Sequence, residues 1–485
     1  MAPASGPPGR RLVIVGGGPA GLLAAAALAP CFDSVAVYER REEPTADAAM
    51  RSQHSYPMVL AHRATEAFAA AGLSPACCSP EHSVPCDGHY SKGVLWGRAG
   101  DLGPAMRTWV VDRVGLAADL AAEVGRAQPD KVRMHFNAQL SRLNLAARRA
   151  EFVVDGKTAV EEGYELLLGA DGASSAVREA MEAAGMLRTQ LMYDSPVLYR
   201  TFYGLSRAAR EEAGERELVP GICTHRPRQH LYWYDNKKGP LITFWMDESG
   251  RLDGLVSKNV NWDRAALLQS IRATHPAIPE HLAAGVVAQV ADPPEGPGAA
   301  GAPVGSRFGR ILRCSAFTGP HVALVGDAAH PVTGHLGQGC NMALESVRVL
   351  ASALQQCGGD VDAGLRLYDS QRREDAWAMQ HLEMAMAAFV RAPSARPSAA
   401  SFSLPFRLYA SALLTSTMLV GLALHKLAPS KFPTPIYLFA AFRDARVSYS
   451  AARRNCWAMM AGASALTAAG LAGVAAWALR RWVPR

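Results

Sequence analysis

Short apolar runs recur along the chain, and three of them end in glycine-rich turns. Arg11–Val15 is the first run, and after its turn comes Leu22–Ala29, a stretch of good helix formers. Ser34–Tyr38 is a second run of strand length. An apolar strand, a glycine turn, a helix and another strand in this order are typical of a βαβ unit. The pattern therefore predicts an α/β, Rossmann-type domain at the start of the chain.

The first turn, Gly16-Gly-Gly-Pro-Ala-Gly21, has the spacing of a dinucleotide-binding loop. We assign Gly16 to the tight turn, Gly18 to the close approach of the backbone to a pyrophosphate, and Gly21 to helix–strand packing. In this strand–turn–helix context the motif predicts a dinucleotide site. A glycine-rich turn without a ligand is the alternative.

Two neighbouring features complete the predicted nucleotide site. The helix begins at Pro19 and Ala20, and a helix N-terminus carries partial positive charge that favours phosphate. Glu39 closes the second strand, where a carboxylate can accept hydrogen bonds from an adenosine ribose, and Arg40 follows it. We therefore expect these four residues to contribute to cofactor binding.

Two more strand–turn–helix segments follow further along the chain. Tyr164–Leu168 leads into Gly169-Ala-Asp-Gly172, and Val322–Val325 leads into a second glycine-rich loop before the next helix. One such turn alone is as often an ordinary βα turn with an Asp cap, but three in this order are far more specific. Asp327 is expected to hold a ribityl or phosphate-adjacent hydroxyl. The predicted cofactor residues in these segments are Asp171, Gly172, Gly326, Asp327, Gly337, Gln338, Gly339 and Asn341.

The middle of the chain has a different pattern. Alternating runs such as Leu231–Tyr234 and Leu241–Trp245 predict strands of an antiparallel sheet, and the Pro/Gly/Ala-rich segment 296–305 is typical of a linker. The predicted division is a discontinuous nucleotide-binding domain over 10–82, 107–185 and 305–355, a substrate domain over 83–106 and 186–304, and a helical region over 356–455.

The last apolar run is long enough to cross a membrane. Trp457–Leu479 holds 23 residues without a charge, and pairs of Arg residues flank it on both sides. We predict a single C-terminal transmembrane helix over 457–479; a buried or partner-packed Ala-rich helix is the alternative. The shorter run Leu408–Leu424 is expected to cover the active site or to dip into the membrane interface.

Composition narrows the function classes. Nine cysteines in 485 residues, without a CxxC pair, argue against a disulfide framework and a zinc site and favour a reducing compartment. The net charge of +7 comes from scattered Arg residues without an aromatic–basic run, so nucleic-acid binding is not expected. Residues 1–11 lack the apolar core of a signal peptide and are expected to form a short disordered lead. No metal site is predicted.

The three glycine blocks together resemble the single-component flavin monooxygenases, aromatic hydroxylases that carry one FAD. The family's blocks stand here as Gly16–Gly21, Gly169–Arg178 and Gly326–His330. The resemblance implies FAD as the cofactor, NADPH or NADH as a transient reductant, and O2 and a small aromatic molecule as substrates. It also implies that hydroxylation passes through a flavin C4a-hydroperoxide, and that Arg113, at a helix start, contacts FAD.

Stretches beyond these blocks are shared with one membrane-bound branch of the family, whose substrate is an aromatic amino acid. That resemblance makes Tyr437, in the C-terminal region, a candidate catalytic residue. It implies anchorage in the mitochondrial outer membrane with the FAD domain facing the cytosol. The branch's substrate-binding Arg has His89 in its place, and Tyr90 and Arg98 nearby are possible substitutes. His335 lies in the loop expected over the flavin and is the candidate to hydrogen-bond flavin or substrate, with plain loop packing as the alternative.

These departures leave three functions open. The first is a membrane-anchored FAD hydroxylase of an aromatic amine, as in that branch. The second is a flavin hydroxylase or epoxidase of another aromatic or lipid substrate. The third is a flavin-dependent reductase, or an FAD-bound interaction protein, without oxygenation. The sequence does not choose an oligomeric state.

Overall fold

The structure is a computed structural model, and the statements below concern the residues that it describes. These are residues 9–45, 56–73, 83–91, 94–98, 108–195, 197–205, 229–234, 239–246, 252–257, 260–276, 278–291, 306–307, 309–390, 403–428, 430 and 437–482. The predicted linker 296–305 and residues 1–8 of the predicted disordered lead lie outside them.

A six-stranded sheet forms the centre of the first domain. Its strands are β1 (Arg11–Val15), β2 (Ser34–Tyr38), β7 (Val132–His135), β11 (Leu166–Gly169), β19 (Thr318–Gly319) and β20 (Val322–Leu324). They lie in the order β19-β20-β11-β1-β2-β7, and all neighbours are parallel except β19 and β20. Because β1, β11 and β20 are almost wholly buried, they appear in the sequence as unbroken apolar runs. The predicted βαβ unit is confirmed.

Helices surround this sheet. They are α1 (Pro19–Leu28), α2 (His62–Ala70), α3 (Arg113–Ala127), α4 (Ala176–Ala183) and α7 (Gly339–Gln356). In α1 every residue from Gly21 to Leu28 is buried, and α1 packs against α3 and α7. Short 3-10 turns at Ala29–Cys31 and Gly326–Ala328 follow α1 and β20. Asp112 caps α3 by accepting a hydrogen bond from the Gly115 N–H at 2.7 Å, which fixes the start of that helix at Arg113.

A nine-stranded sheet forms the second unit. Its strands are β3 (Pro57–Leu60), β4 (Ser83–Ser91), β5 (Val94–Arg98), β6 (Thr108–Asp112), β13 (Leu198–Leu205), β14 (Gln229–Tyr234), β15 (Leu241–Met246), β16 (Leu252–Ser257) and β17 (Ser306–Arg307). Its neighbours are antiparallel apart from β14 and β4, which run parallel, so the prediction of a wholly antiparallel sheet is wrong at this pair. A parallel pair needs a long crossover, and the chain between these two strands supplies one by passing through the first sheet.

The second unit has a hydrophobic core of its own. Helices α5 (Arg264–Thr274) and α6 (Glu280–Ala291) pack on the nine-stranded sheet through a cluster that includes Phe202, Phe244 and Ile271. Strands β3 and β6 belong to segments that the sequence analysis placed with the nucleotide-binding domain, yet they pair within this sheet. The two units are therefore joined by shared segments rather than by one linker.

Two smaller sheets complete the strands. One has three antiparallel strands, β8 (Ala138–Asn144), β9 (Arg149–Val154) and β10 (Lys157–Glu162), and the other pairs β12 (Thr189–Asp194) with β18 (Arg310–Cys314).

The C-terminal region is helical, as predicted. It contains α8 (Val361–Phe389), α9 (Leu404–Leu427), α10 (Tyr437–Arg443) and α11 (Tyr449–Trp482). The predicted transmembrane stretch 457–479 lies inside α11, and its side chains from residue 470 onward lie outside the described part. The shorter run at 408–424 extends into the 24-residue helix α9. Among the described residues, α9 is one helix that could cross a membrane by length and composition, with a mean hydropathy of 1.5 and 28% of its apolar window buried.

A buried ion network ties this helical region to the first domain. The Arg63 guanidinium on α2 lies 2.7 Å from one Glu345 carboxylate oxygen, and Arg372 on α8 lies 2.8 Å from the other. Arg63 also donates to the backbone carbonyls of Phe442 (3.0 Å) and Ala441 (2.9 Å) in α10. Burial alone would raise the pKa of Glu345, but Arg372 and Arg63 outweigh it and hold the pKa below its ordinary value.

Removing the central carboxylate should therefore be costly. In Glu345→Gln, the buried Arg63 guanidinium loses its counter-charge, while Arg372 keeps Asp375 at 2.8 Å, and we expect the free energy of unfolding to fall by about 3–5 kcal/mol. Urea denaturation measures this loss. The matched control is Glu123→Gln, which removes a surface pair with Arg126 and should leave stability unchanged. Equal stability of the two variants would contradict the role given to the network.

Candidate functional site

The first glycine turn is shaped by close backbone approaches. Gly16 has φ +110°, and a Cβ there would lie 2.4 Å from the Ala170 carbonyl oxygen. A Cβ on Gly21 would lie 1.9 Å from the Gly16 carbonyl oxygen, so only glycine fits. A Cβ on Gly18 would meet no atom within 4 Å. The turn is tight on its protein side and open beside Gly18, which is the space that a pyrophosphate requires.

Glu39 lies at the end of β2, where the sequence predicted a ribose contact. One of its carboxylate oxygens accepts a hydrogen bond from the Gly17 N–H at 2.7 Å, and the other accepts from the Arg41 N–H at 3.0 Å. A carboxylate retains further acceptor sites after two such bonds, so hydroxyl groups can still bind. Arg40 is exposed. Partial burial and the nearby Arg113 lower the pKa of the Arg41 guanidinium, so a cation that the sequence analysis did not single out lies close to Arg113.

The second turn differs from its prediction in the part played by Asp171. Its carboxylate accepts hydrogen bonds from the Ser175 hydroxyl (2.5 Å), the Ala176 N–H (2.7 Å) and the Val177 N–H (3.3 Å). Asp171 therefore stabilises the start of α4, and Gly172 continues the turn with φ +82°. A contact of Asp171 with the cofactor stays a prediction.

Arg178 joins the second and third turns. Its buried guanidinium donates to the Ala173 carbonyl at 2.7 Å and to the Ala328 carbonyl at 2.9 Å. The first and third turns also touch, because a Cβ on Gly326 would lie 3.4 Å from the Ala20 Cβ. In the sequence analysis, Arg178 appeared only as the last residue of the second block, Gly169–Arg178. Its structural part is to hold the loops at the sheet edge together.

Asp327 lies where these turns meet. Burial raises the pKa of its carboxyl, while Arg113 and Arg178 act in the opposite direction. No described residue donates a hydrogen bond to the carboxylate. The Arg113 guanidinium lies 5.7 Å from the Tyr56 ring, and that ring makes an edge contact with Tyr199 at 6.0 Å. Arg113 thus lines one side of a crevice and the rings of Tyr56 and Tyr199 line another. The Asp327 carboxylate in this crevice accepts no hydrogen bond from a described residue.

These features fit FAD. The Asp327 carboxylate is partly exposed, and its oxygens are available to accept a hydrogen bond from a ligand hydroxyl. The open space at Gly18 and the start of α1 at Pro19 suit the pyrophosphate, and Glu39 suits the adenosine ribose. Asp327 and Arg113 lie where a ribityl chain would pass. FAD, when bound here, would supply electron transfer and oxygen activation that no described side chain provides.

The loop before α7 is fixed by its polar side chains. Asn341 donates to the Val59 carbonyl at 2.8 Å and accepts from the Ala61 N–H at 2.7 Å, so it holds β3 to the loop. Gln338 is buried and accepts from the Tyr449 hydroxyl at 3.3 Å. Gly337 has φ +64°, and Gly339 begins α7. Both predicted side chains are thus engaged by the protein, and their cofactor contacts stay predictions.

His335 belongs to a buried polar cluster. Its Nδ1 lies 2.8 Å from the Thr333 hydroxyl oxygen, and the Thr333 hydroxyl donates to Glu383 on α8 at 2.7 Å. Glu383 also accepts from the Leu336 N–H at 3.2 Å. Burial raises the pKa of Glu383 to about 8, so the carboxyl stays protonated near neutral pH. Glu383 therefore secures the loop that carries His335, a contact between residues about fifty positions apart that no local pattern indicates.

His330, the last residue of the third block, lies beneath this loop. It is fully buried, and its Nε2 lies 2.8 Å from the Ser346 hydroxyl. Burial and the nearby Arg372 lower its pKa to about 3, so the imidazole is neutral. Its part is to pack the block against α7.

The predicted substrate residues are placed only in part. His89 and Tyr90 lie on β4 and Arg98 on β5, strands that pair with each other, but their side chains lie outside the described part. Tyr437 begins α10, and its hydroxyl accepts from the Asn455 side chain at 2.6 Å. Their contacts with a substrate stay predictions.

Comparison with known proteins agrees with this geometry. The family described as "FAD binding domain" matches residues 312–382, and the "NAD(P)-binding Rossmann-like domain" matches residues 14–72. A kynurenine 3-monooxygenase from Xanthomonas euvesicatoria is 26% identical over 396 residues, covering 77% of this chain and 78% of that protein. Kynurenine 3-monooxygenase 3 from Aspergillus niger is 26% identical over 426 residues, with the same coverage.

A solved structure shares the fold. PqsL from P. aeruginosa superposes with a TM-score of 0.55 at 22% identity, covering 81% of this chain and 98% of that one. The chain is an FAD-dependent monooxygenase similar to the kynurenine 3-monooxygenases, and FAD and NAD(P)H are its cofactors.

Gly18 allows a direct test of the nucleotide turn. Gly18→Val adds a side chain whose Cβ meets no atom within 4 Å, so the variant should fold but lose FAD, because the side chain fills the pyrophosphate space. We expect a normal thermal transition for the apoprotein and a flavin-to-protein absorbance ratio less than about a tenth of wild type. Gly18→Ala should lose less FAD. Full flavin occupancy in Gly18→Val would contradict the assignment.

Glu383 predicts a dependence of stability on pH. The unfolded chain loses this proton near its ordinary pKa of 4.5, whereas the folded protein keeps it to about pH 8. Unfolding is therefore favoured more strongly as pH rises through this window, and stability falls. Glu383→Gln keeps the shape but does not titrate, so its Tm should exceed that of wild type by about 3–5 °C at pH 8 and by little at pH 5. Parallel Tm curves would show that Glu383 does not titrate in this window.

Proposed function

We propose that the protein hydroxylates an aromatic substrate that carries an amine, with L-kynurenine as the first candidate and NAD(P)H as the reductant. The observation that carries this proposal is the crevice around Asp327, which joins an unused carboxylate to Arg113 and to the three glycine turns. The similarity to kynurenine 3-monooxygenases, which extends over 77% of the chain, supports this choice of substrate.

The chain's own part in such a reaction is to bind, orient and exclude water. Backbone N–H groups of the glycine turns would bind the phosphates of the dinucleotide. Asp327 would accept a hydrogen bond from its ribityl chain. The Thr333–Glu383 pair would hold the His335 loop still. Since N–H groups at the start of α7 point toward this loop, negative charge on the reduced cofactor would be stabilised there.

A second candidate is hydroxylation or epoxidation of another aromatic or lipid substrate. It is favoured by His89 in the place of a substrate-binding Arg. It is also favoured by the exposed apolar face of α9, where Leu408 and Leu419 are both more than 60% exposed. An apolar substrate held in a membrane would reach such a surface first.

We also infer membrane attachment through the C-terminal helices. α11 contains the predicted anchor at 457–479, and α9 has the length and hydropathy to accompany it. With the FAD domain on the cytosolic side, the proposed location is the mitochondrial outer membrane, as the resemblance implies.

The substrate proposal is tested with the purified holoenzyme, NADPH and O2. L-kynurenine should stimulate NADPH oxidation and yield a product heavier by one oxygen atom, detected by mass spectrometry. Kynurenamine, which lacks the carboxylate, is the matched control. If the protein binds the carboxylate, the KM for kynurenamine should exceed the KM for L-kynurenine by about tenfold or more. Turnover of other aromatics but not of L-kynurenine would favour the second candidate. Flavin that neither NADPH nor NADH reduces with any ligand would reject both.

A further inference from the structure

The C-terminal part of the chain concentrates positive charge. After Glu383 the sequence contains twelve Lys or Arg residues and one acidic residue, Asp444. Asp444 is itself paired with Arg446 at 2.8 Å. The net charge of the whole chain, +7, is therefore smaller than that of this segment alone. Such a distribution suits a negatively charged partner surface.

One group of these cations lies where α8 meets β18. Arg373, Trp377 and His381 are four residues apart on α8 and so share one face of the helix. The Arg313 guanidinium, on β18, lies 5.5 Å from the centre of the Trp377 ring. Arg373 lies at the same distance but is neutralised by Asp369 at 3.0 Å.

Helices α9 and α11 close the other side of this group. The Arg453 guanidinium lies 4.9 Å from the Trp457 ring, and that ring lies 6.1 Å from the His381 ring. The Tyr409 hydroxyl accepts from Trp457 Nε1 at 2.6 Å and lies 3.3 Å from His381 Nε2. Two aromatic rings and two guanidiniums thus form one half-buried pocket with His381 at its base. We call it the Arg313–Arg453 pocket.

The Arg313–Arg453 pocket presents nitrogen atoms without a protein partner. Arg313 Nε, Arg453 Nε and His381 Nδ1 are buried without a hydrogen-bond partner. Among the described residues, no carboxylate lies within 4 Å of either guanidinium. Burial and the charges of Arg453 and Arg313 lower the pKa of His381 to about 4, so the imidazole is neutral near pH 7. Buried donors without a protein partner are available to the oxygens of a bound anion.

We propose that the Arg313–Arg453 pocket binds the phosphate group of an anionic phospholipid. Paired guanidiniums match phosphate oxygens in geometry and charge. The pocket lies beside the start of α9, whose exposed side from Leu408 to Leu422 is free of charge and mainly apolar, with Ser411 and Thr415 as its polar members, which suits acyl chains. Basic pockets at the ends of membrane helices commonly hold lipid headgroups. The choice of a lipid over free phosphate rests on the proposed membrane attachment.

The test uses the full-length holoenzyme in a neutral detergent at fixed ionic strength. Short-chain phosphatidic acid is titrated while the Tm and the total tryptophan emission, to which Trp377 and Trp457 contribute, are followed. Wild type should show a saturable fluorescence change and a higher Tm. Arg313→Gln and Arg453→Gln should weaken the apparent dissociation constant by about tenfold or more, since each removes a charge-assisted pair. Without lipid, neither substitution should lower the Tm, because no carboxylate is left unpaired.

Arg454→Gln is the matched control, since Arg454 is the exposed neighbour of Arg453 on the same helix and should leave binding unchanged. Short-chain phosphatidylcholine should bind more weakly than phosphatidic acid. Inorganic phosphate that binds as tightly as phosphatidic acid would overturn the lipid assignment. Binding unaffected by Arg313→Gln and Arg453→Gln would overturn the site.

Co-sedimentation with neutral phosphatidylcholine vesicles separates this proposal from membrane attachment. The apolar helices should carry wild type and both Arg variants to these vesicles equally. A protein that stays in solution yet binds short-chain phosphatidic acid through both Arg residues would reject the anchor and keep the anion site.

Discussion

The meeting of three glycine turns at one edge of a parallel sheet sets the position of everything else in the site. Parallel neighbours β1, β11 and β20 end at the same edge, so their turns are brought together by topology alone. The contact of Gly21 with the Gly16 carbonyl brings α1 close to its strand. The buried guanidinium of Arg178 then locks the other two turns to each other. We therefore propose that cofactor recognition depends mainly on rigid backbone, and that Asp327 and Arg113 add charge to this frame.

The ion network of Arg63, Glu345 and Arg372 extends this frame to the C-terminal helices. Glu345 lies on α7, the same helix whose first turn forms part of the flavin loop, so one rigid element carries both the loop and the central carboxylate. Buried ion pairs contribute little net stability on average because desolvation offsets attraction. Their effect here is on geometry. Arg63 donates hydrogen bonds to two carbonyls of α10, and these bonds fix the position of α10 relative to α2. The helical region is thereby held against the cofactor domain in one arrangement.

Apolar periodicity and glycine spacing predicted the first sheet, its helices and the three turns, because these depend on residues close together in sequence. Side chains whose partners lie far along the chain were not predictable in this way. Asp171 is a local case instead, because its carboxylate caps α4 through Ser175 and two backbone N–H groups, the alternative that such a turn already offered. Nothing in the local sequence around Glu383 indicates that its carboxyl accepts hydrogen bonds from Thr333 and Leu336. The parallel pairing of β14 with β4 likewise depends on a crossover through another sheet, which no strand pattern encodes.

The way α11 begins has a mechanical consequence. Tyr449 is fixed between two guanidiniums, 4.2 Å from Arg63 and 5.6 Å from Arg372, and its hydroxyl reaches Gln338. From this clamp α11 continues for 34 residues, a length of about 50 Å against the roughly 30 Å of a hydrocarbon core. A continuous helix of this length is stiff, so a movement of its far end is transmitted to its first turn. A bilayer that tilts or pulls it would exert torque on the loop beside the cofactor, and the crevice would keep a single height and orientation above the lipid surface.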